Sequence, residues 1–451
     1  MMKKEFTHPL FKTTLLIFLS FFLTSTGHLS WMYHLMTLVS AGTSDLLTVT
    51  VSYLLQAVGI GVFALIQHRF HPDERKLLFL SLIAYAVCLV PASVGTSVAV
   101  TVTAGLLMSL LCGVIAGVYL YALSAKVGIS RRATSFGVGY GLTTVVSWLL
   151  SLIGSGSFYY GKWVLLICAV TAILAALCAF IPDKSVNAEA PPDENVYPLP
   201  RLLVLCGAVV LLFSLVNNIG FSYATSALQD GMRLEFSRLF YAIGLICAGL
   251  INDKSRKYGA VCALAALILP FIIPTLRGEA LSVQVFWSLE YFAFGFYAVY
   301  RVILFSDIAA ERNLFYLSGA GLLIGRIGDA LGAQINFLLD GNAIVSIITA
   351  AIIFAFSIFV FIKLYPLRYL PSSIQPKSEK EIFESFAVSH DLSVREREVL
   401  RLVLDNQSNK EIADEINISE STVKFHVHNL LQKTGCKNRT DLRSAYHASR
   451  G

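Results

Sequence analysis

Residues 182–200 read PDKSVNAEAPPDENVYPLP, and this stretch decides how the chain is organised. Proline removes backbone donors and breaks helices, and clustered Asp and Glu demand water, so the segment is a solvated link. On both sides the sequence has the opposite character. Hydrophobic residues make up 56% of the 451 and charged ones only 14%, against about a quarter charged in an ordinary soluble domain. Outward from the link run apolar stretches of about 17 to 25 residues, the length that crosses a hydrocarbon core of about 30 Å. Twelve spans are predicted, at 11–30, 45–66, 77–96, 98–124, 134–154, 161–181, 201–223, 236–252, 258–276, 282–306, 315–339 and 342–363. The expected fold is all-α: a polytopic twelve-helix membrane bundle over 1–365 with halves 1–181 and 201–365, a linker at 366–385, and a soluble module at 386–451.

Basic residues set the orientation. With the N-terminus in the cytoplasm, the inner loops hold 17 Lys and Arg, whereas the outer loops hold four: Lys162, Arg233, Arg238 and Arg277. Such an excess marks the cytoplasmic side of a membrane. An even number of spans then returns the C-terminal module to the cytoplasm, so both termini are expected there. The eight cysteines show no C-x-x-C pair and no Cys/His ligand spacing, and they read as free thiols. No metal site, cofactor, nucleotide loop or nucleophile constellation is apparent, so an enzyme is not expected.

Six spans, a polar link and six more resemble the major facilitator superfamily. Residues 249–257, GLINDKSRK, are similar to that family's G-x-x-x-D-[RK]-x-G-R-[RK] loop without its second glycine. The resemblance gives Asp253 and Arg256 a structural or gating role, pairing charges at the inner ends of helices that rock against one another.

The soluble module begins with DLSVREREVL at 391–400 and continues with QSNKEIADEINISESTVKFHVHNLLQKTG at 407–435. Ser393 with Glu396, and Ser408 with Glu411, form capping boxes that open two helices. Val399, Leu400, Val403 and Leu404 line the first helix, Ile412, Ala413 and Ile416 the second, and Val423, Val427, Leu430 and Leu431 a third. Ala413 is small where two helices must touch. Asn417 tolerates a left-handed turn, and Val423 supplies the apolar seat of the last helix. Charge is polarised along the module, net −4 over 386–423 and +5 over 424–451. The positive end thus falls on the third helix and the residues C-terminal to it, as a phosphate-binding face requires.

This segment closely resembles the LuxR/FixJ-type DNA-binding domain, a four-helix helix-turn-helix module. The resemblance implies double-stranded promoter DNA as partner, a homodimer on paired half-sites, and a fourth helix at about 438–448 supporting dimerisation. Lys424, Phe425 and His428 would face base edges. Ser408, Asn409, Lys410, Ser421, Thr422 and Lys433 would be available to phosphates, and His426 would hold helix packing. RNA polymerase is a further candidate partner. The whole arrangement resembles the membrane-bound LuxR-type regulators of Coriobacteriia with a major-facilitator-like N-terminal domain.

Polar groups inside spans are costly and so are informative. Asn217 and Asn218 lie mid-span. Glu290 and Arg301 are three turns apart on one face, and Arg326 and Asp329 are spaced to pair within their own helix. In facilitator-like folds helices one, four, seven and ten line the central cavity. That implies a pocket of His28, Trp31, Asn217, Asn218, Glu290, Tyr291, Tyr297 and Arg301, suited to a small amphipathic ligand, aromatic or acidic. Arg326 and Asp329 are assigned a structural or gating pair. The leading reading is a one-component regulator whose lipid-embedded bundle senses a small molecule. The alternatives are a secondary transporter with a fused regulatory tail and a ligand-free membrane tether.

Overall fold

The computed structural model describes residues 9–153, 161–181, 199–226, 234–269, 280–339, 342–370 and 379–448. Most of the central link, with Arg233 and Arg277, lies outside them. The chain divides into two compact units, Met1–Tyr369 and Leu370–Gly451. Among the described residues all regular structure is helical.

The first unit contains α1 (Pro9–Met36), α2 (Ala41–Phe70), α3 (Glu74–Val94), α4 (Val98–Lys126), α5 (Ile129–Ile153) and α6 (Lys162–Phe180). After the link come α7 (Leu199–Ser226), α8 (Leu234–Lys254), α9 (Arg256–Ala266), α10 (Ala280–Glu311), α11 (Ala320–Leu338) and α12 (Ala343–Tyr369). Among the described residues each of the twelve predicted spans carries a helix, although α9 covers only the first half of 258–276 and residues 270–276 lie outside the described residues. Ten helices among the described residues, α1–α8, α10 and α12, are long and apolar enough to cross a membrane. The outer surface is apolar: Trp163, Leu177, Ile352 and Phe359 are more than half exposed. Water would make so extended an apolar exterior unfavourable, and lipid does not.

Inside, α11 packs closely on its neighbours because of its glycines. A Cβ on Gly321 would overlap the Arg301 carbonyl, and one on Gly328 would overlap the Ser214 side chain. Small residues at such positions let helix backbones approach where apolar burial alone provides no drive.

The second unit holds α13 (Glu379–Ser389), α14 (Val394–Leu404), α15 (Asn409–Glu415), α16 (Glu420–Thr434) and α17 (Arg439–Ala448). Both expected capping boxes are formed. Asn417 is left-handed, with φ of 53°. Val399, Leu400, Ile412, Ala413, Val423, Val427 and Leu430 share one core with Leu442 and Tyr446 of α17. The helix α13 was not foreseen. Part of it falls in the stretch assigned as linker 366–385, yet Ile382, Phe383 and Phe386 are buried in the same core. The Tyr446 ring meets Phe386 edge-on, with centroids 5.4 Å apart. Acidic and basic residues around those three apolar ones hid the amphipathic turn from a composition-based reading. The preceding helix α12 also runs through 366–369, because its Pro366 is accommodated within the last turn.

Candidate functional site

In the second unit, α15, a four-residue turn and α16 form the helix-turn-helix. Ser419 caps α16, its hydroxyl accepting from the Thr422 N–H at 3.2 Å. Val423 is fully buried beneath Ile412 and Ala413, which fixes the rotation of α16 about its axis. Lys424, Phe425 and His428 consequently face solvent together. Phe425 is 61% exposed, a large apolar ring on the otherwise polar outer face of α16. Lys424 reaches back to Glu420 at 2.9 Å, an exposed pair worth only a few tenths of a kcal/mol, so it is easily redirected. Ser421 and Thr422 stand in the first turn of α16, and Lys410 is exposed on α15.

Three of the residues expected at phosphates, Lys433, Asn409 and Ser408, are engaged within the module. Lys433 donates to the Asp391 carbonyl at 2.8 Å and pairs with Glu396 at 2.7 Å. Asn409 accepts from the Arg439 guanidinium, which also donates to the Gln407 carbonyl at 2.7 Å and so ties α17 to the start of α15. Ser408 is the cap of α15, accepting from the Glu411 N–H. Burial pushes the Glu396 carboxyl up, but the Lys433 ammonium and the Ser393 donors together hold it below its usual range. The Glu411 carboxyl is likewise held low by the Ser408 backbone N–H and hydroxyl.

In the first unit a cavity of about 300 Å³ lies between the halves. His28, Asn217, Asn218, Tyr291 and Arg301 line it, as expected. Trp31, Glu290 and Tyr297 do not. Trp31 is turned onto Gly105 of α4. Tyr297 sits behind the wall, hydrogen-bonded to Ser214 and accepting from Arg301 at 3.2 Å. Glu290 is buried elsewhere, and among the described residues neither carboxylate oxygen has a hydrogen-bond partner. Being on one face of α10 with Arg301 did not suffice, because three turns of helix separate the two.

The cavity draws on more helices than one, four, seven and ten. Tyr53 comes from α2, Tyr140 from α5, Arg238 and Tyr241 from α8, and Arg326 and Asp329 from α11. The expected pair Arg326–Asp329 is present at 3.5 Å, but it is part of a larger cluster. Arg301 donates to the same carboxylate oxygen of Asp329 at 3.0 Å. The Arg326 guanidinium lies over the Tyr53 ring, 4.5 Å from its centroid. Arg238, assigned to an outer loop by the charge pattern, belongs to α8 and faces this cavity. It lies in the first turns of that helix, where a loop residue and a span residue read alike in sequence.

A second cluster joins the halves at the end of the bundle where α4, α8 and α10 terminate. Arg132 of α5 pairs with Asp307 of α10 at 2.5 Å, and Arg256 pairs with the other Asp307 oxygen at 2.6 Å. Arg256 also pairs with Asp253 at 3.1 Å. Asp253 accepts from the Ala133 and Thr134 N–H groups, the fifth and sixth residues of α5, at 2.9 and 2.8 Å, which ties the end of α8 to α5. Asp253 and Arg256 thus make the charge pairing expected of them. The hub, Asp307, was missed because a single acid at a span end carries no local pattern.

Comparison with known proteins agrees with both halves of this description. Residues 390–445 match the family described as bacterial regulatory proteins, luxR family. The Bacillus subtilis spore germination protein GerE is 49% identical over 49 residues, 11% of this chain and 66% of that protein. The Pseudomonas aeruginosa quorum-sensing regulator RhlR is 48% identical over 60 residues, 13% of this chain and 24% of that protein. The HTH-type transcriptional regulator YhjB of Escherichia coli is 38% identical over 74 residues, of which this chain spans 35% of the relative's length. What is shared is therefore a module. The crystal structure of the Escherichia coli fucose:proton symporter FucP matches with TM-score 0.56 and 14% identity, over 79% of this chain and 99% of that one. A second FucP structure, in the outward conformation, gives 0.57 at 13% identity with the same coverage. The chain joins a multi-pass membrane bundle of the major facilitator fold to a C-terminal LuxR-type helix-turn-helix.

Proposed function

We propose that the chain is a membrane-embedded one-component transcription regulator. The observation that carries this reading is the presence in one polypeptide of a LuxR-type helix-turn-helix with its recognition face exposed and a facilitator-fold bundle enclosing a polar cavity. A small molecule enters the cavity and shifts the conformational equilibrium of the bundle by binding one state more tightly than the other. The cavity suits that task because His28 and Tyr53 come from one half and Arg301 and Arg326 from the other, so a ligand touching both biases their relative position.

The bundle sits in the bacterial cell membrane with both termini in the cytoplasm, where the second unit meets promoter DNA. Two copies pair on adjacent half-sites, α17 supports the pairing, and RNA polymerase is recruited or blocked there. Lys424, Phe425 and His428 read base edges, while Lys410, Ser421 and Thr422 contact phosphates. Asn409 and Lys433, already committed within the module, hold its helices in place.

Transcript profiling of a deletion strain, followed by footprinting of the affected promoters with the purified protein, tests the reading. A defined set of promoters should change and be protected. An unchanged transcript profile across growth conditions, together with uptake of a solute that depends on the chain, overturns it in favour of a transporter with a fused tail. The partnerless Glu290 gives that second reading its foothold, because coupled transporters use intramembrane acids as ion relays.

A further inference from the structure

We propose that the cavity binds a small organic monocarboxylate, with Arg326 as its anion anchor and the surrounding rings as the seat of a planar apolar body. This deepens the sensor reading and rests on it for the site's purpose, though not for its chemistry. Arg301 and Arg326 share a single carboxylate, and indeed a single oxygen of it, Asp329 Oδ2. A guanidinium stays protonated at any physiological pH. Within this cluster of two guanidinium groups and one carboxylate, one positive charge is therefore left over, and Arg238 lines the same cavity. Standing charge at membrane depth is expensive, so a site built this way favours an occupant that supplies the missing anion.

The two arginines are not equivalent. Arg301 is 4% exposed and makes hydrogen bonds to both Tyr297 and Asp329. Arg326 approaches Asp329 no nearer than 3.5 Å, against 3.0 Å for Arg301, while the buried Nε of both arginines has no hydrogen-bond partner among the described residues. Its Cζ lies 4.5 Å from the Tyr53 ring centroid, and its longer contact with Asp329 makes it the arginine more readily engaged by a second carboxylate, in the bidentate geometry guanidinium prefers. Around it Tyr140, Tyr241, Tyr291 and Phe294 supply aromatic wall. Inorganic anions gain nothing from such rings, whereas an unsaturated or aromatic acid does. At about 300 Å³ the space is at the small end for ligand pockets, so the acid is small.

The test uses the full-length protein in lipid nanodiscs, titrated with benzoate and 3-phenylpropionate, their uncharged amides, and inorganic phosphate. At least one acid should bind about tenfold or more tighter than its amide and than phosphate, and Arg326→Gln should remove that preference. Asp329→Asn provides the control that misfolding cannot imitate. It frees both arginines from their internal competitor, so it should lower the thermal stability of the empty protein and strengthen acid binding. Equal binding of acid and amide, equal binding of phosphate, weaker acid binding in Asp329→Asn, or no binding by either acid up to millimolar concentration each overturns the proposal. An amide that binds and triggers transcription leaves the sensor reading intact while this one fails. Acids that bind as stated without any transcriptional effect do the reverse.

Discussion

Lys433 Nζ lies 2.7 Å from Glu396 Oε2, joining the end of the recognition helix to a carboxylate that is only 5% exposed. The same oxygen accepts from the Ser393 N–H at 2.7 Å, so one acid both closes the capping box of α14 and holds α16 in place. Lys433→Met should destabilise residues 370–451 by about 1–3 kcal/mol, the cost of leaving a hydrogen-bonded carboxylate short of its charged partner. The pH dependence has a definite sign. The folded Glu396 carboxyl sits below its usual value, so its contribution is full above about pH 5 and is lost as pH falls through the folded value. Urea melts of the fragment from pH 7 to pH 3 should show this loss, and Glu396→Gln should flatten it. A variant as acid-labile as the parent would show that other carboxylates dominate.

On DNA, Lys424 and Lys410 should separate by type of effect. Lys424→Ala should cost about 1–3 kcal/mol on the specific site and much less on random sequence, as removal of a base contact does. Lys410→Ala should weaken both equally and lower the salt slope by about one. Fluorescence anisotropy of the same fragment over a salt series reads both quantities. Equal losses on both sequences from Lys424→Ala would reject it as a base reader.

The helix-turn-helix was legible because its determinants are local. Two capping boxes, Ala413, Asn417 and Val423 each act within a few residues, and all occur at their expected positions. The twelve spans were legible because lipid demands length and apolarity from every crossing helix. Cavity membership was not. Helices apolar on all faces give no rotational signal, so Arg326 and Asp329 looked like a private pair and Glu290 like a pocket group. Arg301, Arg326 and Asp329 meet only through the close approach of α10 to α11, which Gly321 and Gly325 permit. Tertiary packing decides that, and no single helix encodes it.

At the junction of the halves, Asp307 should behave as a hub. Asp307→Asn removes the ion-pair partner of the buried Arg132 and one of the two carboxylates on Arg256, and breaking a buried pair from one side costs about 3–5 kcal/mol. Pairing the change with Arg132→Gln should restore part of the loss, giving a coupling energy of about 1–3 kcal/mol in a double-mutant cycle. Thermal melts of the detergent-solubilised protein measure it. Asp307→Asn with Arg301→Gln, a residue in the separate cavity cluster, should be additive. Coupling of equal size in both cycles would mean that the variants unfold the bundle generally and that Asp307 is no local hub.

Arg301 and Glu290 lie on one helix and are both buried, yet they should give opposite phenotypes in cells. Arg301 lines the cavity and holds Asp329, so Arg301→Ala removes part of the differential affinity by which any ligand moves the equilibrium. The transcriptional response to inducer should disappear, with protein level in the membrane and promoter occupancy without inducer unchanged. Glu290 touches neither the cavity nor a hydrogen-bond partner, so Glu290→Gln keeps its shape and should leave the dose–response curve in place. The transporter reading orders the two differently. If the bundle moves its ligand with a coupled proton, Glu290→Gln should abolish accumulation of labelled inducer and leave binding unaffected. Reporter activity and accumulation, measured side by side in cells carrying each variant, resolve the matter. A normal response in Arg301→Ala would remove this cavity from the signalling route. Lost accumulation in Glu290→Gln would make the bundle a transporter.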